Sequence, residues 1–236
     1  MDWRIFHRER TASTNLDARE GRHGDVFTAG WQSAGRGRLD HRWLSPPGAN
    51  LLMSAVLDVA ALSPEEAATF PLAAGLAVAN ALAPFAAPSA QPMLKWPNDV
   101  LLGGRKVAGM LCERHGGNVI AGIGVNVAEQ EFPPEIASRA CSLGGAATVE
   151  GVRDAVLASL AAVYGRWLRE GFASVLPEIG RIDFLKGRRV RVVQVDGERP
   201  GICGICRGIA ADGSLDVDGV RVYAGEVHVE TMEEGQ

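Results

Sequence analysis

The chain has 236 residues, 47% hydrophobic and 22% charged, with a formal net charge of -4. That is the profile of a soluble globular protein, with enough chain for one large and one small domain. The acidic balance argues against a general nucleic-acid binder, which carries a basic footprint, yet it allows a local basic pocket. No apolar stretch reads as long and clean enough to span a bilayer, and Met1-Asp2-Trp3-Arg4-Ile5 lacks the apolar run of a secretory signal, so a cytoplasmic protein is expected.

Ser13-Thr14-Asn15, ahead of residues 16–20 and Gly21, predicts a helix N-cap, one or two turns and a glycine stop. Residues 26–31 predict a strand, and residues 35–41 are too glycine-rich and charged for regular structure. A second apolar strand is predicted over 51–57. Ser63-Pro64-Glu65-Glu66 predicts a helix start, with the helix running to about Leu82 and Pro71 as a kink. Strands over 94–102 and 106–112 are joined at Gly103-Gly104, and a third over 119–127 follows Gly116-Gly117. Glycine pairs between apolar runs predict antiparallel hairpins. Val152, Val156, Leu160, Val163 and Trp167 recur at helical spacing, so residues 149–170 form an amphipathic helix whose stripe is core packing. From Arg189 onward come short runs over 190–195, 201–209, 214–217 and 220–223. Asp196-Gly197, Asp212-Gly213 and Asp218-Gly219 sit between them as turns. This predicts a small barrel of SH3-like size, with domains over 1–185 and 186–236.

The four cysteines are Cys112, Cys141, Cys203 and Cys206. Cys203-Gly204-Ile205-Cys206 has redox or half-zinc spacing, but no second ligand pair lies nearby, so reduced, structural thiols are expected.

Four clusters carry chemistry. In Gln32-Ser33-Ala34-Gly35-Arg36-Gly37-Arg38, two arginines alternate with two glycines. Glycine lets backbone N–H groups turn toward phosphate oxygens, and each guanidinium makes a planar, paired contact, so such a loop suits an anion. Alone, it is also the composition of a solvated basic turn. Lys95-Trp96-Pro97-Asn98-Asp99 places Lys95, Asn98 and Asp99 around a proline that restricts the backbone. The lysine can neutralise phosphate and the carboxylate can position a polar ligand or Mg²⁺, although a plain proline turn would look the same. In Lys106-Val107-Ala108-Gly109, a lone lysine sits in an apolar strand, either facing solvent or serving a site, and a strand glycine marks close approach. Gly122-Ile123-Gly124-Val125-Asn126 gives a flat floor without the third glycine and helix of a dinucleotide fingerprint.

With Ser13-Thr14-Asn15 these make five motifs in one order, and in that order the chain resembles the biotin–protein ligases. Trp43-Leu44-Ser45-Pro46-Pro47-Gly48-Ala49-Asn50-Leu51 also resembles the family's segment after the basic loop. The similarity covers about residues 10–130, and the C-terminal barrel in kind. The resemblance implies an α+β fold: a mixed, largely antiparallel sheet with flanking helices (class II synthetase-like), followed by an SH3-like barrel that closes over ATP. It implies ATP-dependent activation of biotin to biotinyl-5′-AMP, with Mg²⁺ accompanying ATP, and transfer to a lysine of a biotin carboxyl carrier domain. By the same resemblance Arg38, Lys106, Asp99 and Lys95 are catalytic, with Asp99 positioning the acceptor amine and Lys95 facing phosphates. Ser13, Thr14, Asn15, Gln32, Gly35, Arg36, Lys106, Gly109, Gly122 and Gly124 would take biotin. Arg36, Arg38, Trp43, Lys95, Asn98 and Asn126 would take ATP or the adenylate, and no residue set is assigned to a metal.

One departure is Leu39-Asp40-His41-Arg42 where the family commonly continues with glycine and arginine. Asp40 sets a negative charge beside the basic loop, which Arg42 offsets or which lowers adenylate affinity. Only twelve residues precede Ser13, so sequence-specific DNA binding is not expected, and neither is membrane association. An edge-to-edge homodimer is compatible with the sheet. A lipoate ligase, or a non-catalytic sensor of biotin or its adenylate, are the competing readings. The basic loop with Gln32 and the barrel favour biotin, and the retention of Arg38, Asp99 and Lys106 favours catalysis.

Overall fold

The computed structural model describes residues 1–39, 41–145, 147–193 and 201–230. In chain order the elements are β1 (Arg4–Thr11), α1 (Thr14–Asp17), β2 (Asp25–Gln32), β3 (Asn50–Asp58), α2 (Pro64–Ala67) and α3 (Phe70–Leu82). Then come β4 (Met93–Lys95), β5 (Asp99–Leu102), β6 (Arg105–His115), β7 (Asn118–Asn126), α4 (Pro134–Ala137), α5 (Val149–Glu170) and α6 (Leu176–Arg181). The chain ends with β8 (Arg189–Val193), β9 (Ile202–Ile209), β10 (Leu215–Val217), β11 (Val220–Val222) and β12 (Glu226–Val229).

Seven strands form one sheet in the order β1-β2-β3-β7-β6-β5-β4, parallel only between β1 and β2. Strand β3 is buried along nearly its whole length because both faces are covered. Leu51, Met53, Ala55 and Leu57 enter the main core with α3 and α5, while Val56 packs with Ala18 and Ile120 under the first helical turn. On α5 the predicted stripe is buried, Thr148 caps the start by accepting from Gly151 N–H at 3.1 Å, and Gly171 ends the helix at φ 75°. Trp167 Nε1 donates to Thr69 Oγ1 at 2.9 Å, so α5 and α3 are pinned by a buried polar contact as well as by packing.

The second sheet has the order β11-β10-β9-β8-β12 and fits an SH3-like unit. The predicted turn at Asp196-Gly197 lies outside the described residues. Cys203 is exposed and Cys206 buried on β9, consistent with an odd spacing along a strand, and all four thiols are free.

Four expectations need correction. The segment 64–85 does have the length and hydropathy of a membrane span. It is nevertheless two helices: Ser63 and Glu66 form a complete capping box on α2, and Pro71 stands at the start of α3 rather than in mid-helix. Thirteen-residue α3 is apolar all round because it is buried all round. The predicted strand 94–102 is a hairpin, β4 and β5, folded at Trp96-Pro97-Asn98 with a cis Trp96–Pro97 bond. Ser13 caps α1 through its backbone carbonyl, with no side-chain cap bond. Strands β1 and β12 carry no strong apolar pattern and are not anticipated; β1 is exposed along almost all of its length.

Candidate active site

Register decides which side chains share the sheet face opposite α3 and α5. Gly109, Leu111 and Glu113 on β6 stand across from Gly124, Gly122 and Ile120 on β7, and Gly122 stands across from Ser54 on β3. Alternation puts all of these on one face, together with Val56 and the first helical turn. A cavity of about 910 Å³ opens on this face. Of the sixteen residues expected at the site, fifteen line it; Gly35 does not. Gly35 lies behind the wall, where a Cβ would sit 2.9 Å from the Trp43 carbonyl and 3.0 Å from Gln32 Nε2.

At one end is a polar nest. Thr14 donates its backbone N–H to Gln32 Oε1 at 2.7 Å, with Thr14 Oγ1 3.1 Å from the same oxygen. Ser54 Oγ lies 2.7 Å from Thr14 Oγ1 and 2.6 Å from Asn15 Oδ1, so its single proton serves one of them. Asn15 Nδ2 donates to the Leu111 carbonyl at 3.2 Å and to Glu113 Oε2 at 2.6 Å. Gly122 is required here: Asn15 Oδ1 occupies the space of any Cβ. Ser13, Thr14 and Asn15 are all buried, so this end is a small apolar-walled pocket with fixed donors and acceptors.

At the other end are the charges. The hairpin at Trp96-Pro97-Asn98 sets Lys95 opposite Asp99, and Asp99 opposite Gly109. Lys106 Nζ lies 2.7 Å from Asp99 Oδ1, an ion pair without an aligned hydrogen bond to that oxygen. Asn98 Nδ2 donates to the Met110 carbonyl at 2.6 Å, and Arg38 Nη1 donates to Asn98 Oδ1 at 3.5 Å. Burial pulls the Lys95 ammonium below its usual pKa, opposed by the charges of Asp99 and Glu226. Burial does the same to Arg38, with the same two carboxylates opposing. Glu226 comes from β12, so the second sheet lines the cavity as well.

The glycine–arginine segment is folded over the cavity. Gly37 N–H donates to the His41 carbonyl at 2.7 Å and Trp43 N–H to the Gly35 carbonyl at 3.0 Å. Asp40 lies outside the described residues. The Trp43 indole rests on the glycine floor, 5.6 Å from Lys106 Nζ to ring centroid, and its buried Nε1 has no partner among the described residues. Asn126 lines the cavity but is held in the scaffold: Nδ2 donates to the Cys141 carbonyl at 3.0 Å, and Oδ1 accepts from Asn50 at 3.4 Å.

Sequence reasoning missed Ser54, Glu113, Arg139 and Glu226. A lone hydroxyl in the apolar run of β3 was a usable signal for Ser54, and parity with Gly109 and Leu111 was one for Glu113. Nothing local marked Arg139, whose carbonyl accepts from Lys106 N–H at 2.7 Å, or Glu226 in a distant strand.

The sequence matches the Biotin/lipoate A/B protein ligase family over residues 7–154. It is 36% identical over 232 residues to a protein of Mycobacterium tuberculosis named biotin–[acetyl-CoA-carboxylase] ligase, covering 92% of this chain and 86% of that one. It is 31% identical to the bifunctional ligase/repressor BirA of Escherichia coli, covering 84% of this chain but only 63% of that protein's length. Among solved structures, the biotin protein ligase of Aquifex aeolicus in complex with biotin and ATP superposes with a TM-score of 0.83. It is 27% identical, with 96% of this chain and 99% of that one covered.

Proposed function

Because the chain belongs to the biotin/lipoate A/B protein ligase family, we propose that it works as its relatives are named, as an ATP-dependent biotin–protein ligase. The observation that carries this reading is the convergence of Arg36, Arg38, Lys95 and Lys106, from three separate segments, on one cavity that also holds a buried polar nest. Biotin carboxylate and ATP are both anions and repel one another, so bringing them together requires fixed cations.

In the first step a carboxylate oxygen of biotin attacks the α-phosphorus of ATP. The bond from that phosphorus to the bridging oxygen breaks, and pyrophosphate leaves. Lys106 and Arg38 stabilise the charge that builds on the α-phosphate, and Lys95 faces the departing phosphates. In the second step the amine of a carrier-domain lysine attacks the acyl carbon, the bond from that carbon to AMP oxygen breaks, and AMP leaves. Asp99 orients the amine and takes its proton, with its carboxylate held in place by Lys106 2.7 Å from Oδ1. The nest of Thr14, Asn15 and Gln32 takes the ureido ring, and the facing glycines let the Trp43 indole lie against the backbone beside it. Trp43 provides a flat surface for the adenine.

Among the described residues no group of three acidic, histidine or cysteine side chains could hold a metal by itself. Mg²⁺ entering with ATP needs only one or two carboxylates besides phosphate and water, and among the described residues Asp99, Glu131 and Glu226 line the cavity. When bound it screens phosphate charge. The chain divides into a catalytic unit over 1–185 and a barrel over 186–236 that closes one side of the cavity.

The test is incubation with ATP, Mg²⁺, biotin and a biotin carboxyl carrier domain, read by intact mass. One biotinyl group added to the carrier is expected. An unmodified carrier, or preferential transfer of lipoate when both acids compete, overturns the reading.

A further inference from the structure

Deepening that ligase reading and resting on it, we propose that Glu113 is a positioning residue of the biotin pocket. Its single carboxylate holds both Asn15, in the pocket wall, and Arg36, in the loop folded over the cavity. Arg36 Nη2 donates to Glu113 Oε1 at 3.0 Å and to Oε2 at 3.1 Å, and Asn15 Nδ2 donates to Oε2 at 2.6 Å.

An exposed ion pair alone contributes little, and the Arg36 side chain is 45% exposed. Two features set this pair apart. The Glu113 carboxylate is oriented beforehand by a short hydrogen bond from Asn15, whose own residue is only 4% exposed. Asn15 in turn cannot move, because its Oδ1 sits against Gly122 and Ser54 and its Nδ2 also donates to the Leu111 carbonyl. A pre-ordered acceptor lowers the entropy lost when a long side chain docks on it.

The two loop arginines therefore have different duties. Arg36 is engaged by Glu113 at the ureido end, whereas Arg38 turns to Asn98 and the charged end. Arg36 acts as a latch: while it stays on Glu113, the Arg36–Gly37 backbone stays over the bound ring. Releasing it opens the biotin pocket and leaves Lys106 and Arg38 able to do chemistry once both substrates are in place. The signature is a raised KM for biotin with little change in kcat.

The test is ATP–pyrophosphate exchange across a range of biotin concentrations for the wild type, Glu113→Gln, Arg36→Gln and the double variant. Gln keeps the size of Glu113 and an oxygen for Asn15 but removes the charge. Each single variant is expected to raise the biotin KM by about tenfold, the effect of losing a charge-assisted hydrogen bond. In Glu113→Gln kcat stays within about twofold, and the double variant is no worse than Arg36→Gln alone. Trypsin also cuts faster after Arg38 and Arg42 in both single variants. An unchanged KM in Glu113→Gln, a loss confined to kcat, or KM increases that multiply in the double variant overturns the proposal. Should Glu113→Gln fold poorly, Glu113→Asp decides, since it keeps the charge but shortens the reach to Arg36; an unchanged biotin KM there overturns the latch. A wild type with no biotin-dependent exchange overturns the ligase reading itself, and this inference with it.

Discussion

Gly109 on β6 and Gly124 on β7 stand directly across from one another, and the indole of Trp43 lies on the floor they make. A Cβ on Gly124 would come within 2.6 Å of Trp43 Cε2, and one on Gly109 within 3.2 Å of Cζ3. Both glycines are there for closeness, since neither adopts a positive φ.

Gly124→Ala is therefore expected to leave the fold intact and displace Trp43, costing about 1–3 kcal/mol as overpacking does. The loss should fall on ATP use, as a raised KM for ATP in pyrophosphate exchange. Adding Trp43→Ala should relieve the clash and lessen the stability cost without restoring the ATP KM. An ATP KM unaffected by Gly124→Ala would remove Trp43 and its floor from nucleotide binding.

The ion pair between Lys106 and Asp99 separates the two half-reactions. Lys106→Met should slow adenylate formation by about 100- to 1000-fold, the usual effect of deleting one preorganised charge stabiliser. Asp99→Asn should spare pyrophosphate exchange relative to transfer, measured in a single turnover from preformed biotinyl-5′-AMP to the carrier. Equal losses in both steps for Asp99→Asn would argue against its role toward the amine.

Lys95 trades stability for function. Burial holds its ammonium below the usual 10.5, so the folded chain binds that proton less tightly than the unfolded chain. The penalty is full below the lowered pKa and is relieved as pH rises from there to 10.5. Wild-type stability, compared with Lys95→Met, should thus increase with pH across that window. At neutral pH the Met variant should be the more stable of the two, with weaker ATP binding. Melting curves from pH 7 to about 10 check the sign; a Met variant that is less stable at pH 7 would contradict it.

The thiols should differ sharply in reactivity. Burial pushes the Cys112 thiol up to about 12, with Glu113 adding to the effect, and burial pushes Cys206 up to about 11. Cys141 is raised by burial as well, while Cys203 is exposed. Alkylation at pH 8 should label Cys203 first by peptide mass, with ligase activity retained. Rapid labelling of Cys112, or a Cys203–Cys206 disulfide on mild oxidation, would contradict the burial of the Cys112 and Cys206 thiols.

How much of this was legible in the sequence depended on how local each signal was. Gly103 and Gly104 announced the β5–β6 turn because both adopt positive φ, which a hairpin of that length demands. The α5 stripe was legible because one face of that helix is buried and the other exposed. α3 gave no such contrast, and Pro71 marked an interruption that falls at Ala68-Thr69, just ahead of it, so that the proline opens α3 instead of kinking it. β1 was missed because its alternating charges face solvent on an edge, so no buried face wrote itself into the pattern. Within the cavity fifteen of the residues that converge were marked by the five motifs and the Trp43 segment, since each motif is a local device. Glu226 reaches the same space from more than a hundred residues away, and only tertiary packing brings it there.

Trp96 is almost wholly enclosed, and its Nε1 donates across to the Gly213 carbonyl in the β9–β10 turn at 3.0 Å. The tight bend that carries Lys95 and Asp99 is therefore roofed by the C-terminal strands. Cutting the chain ahead of Arg189 would leave that indole bare and its N–H facing water, and the bend would lose its cover. An inactive truncation of this kind would report a collapsed corner of the catalytic sheet, and would be no proof that the missing strands touch either substrate.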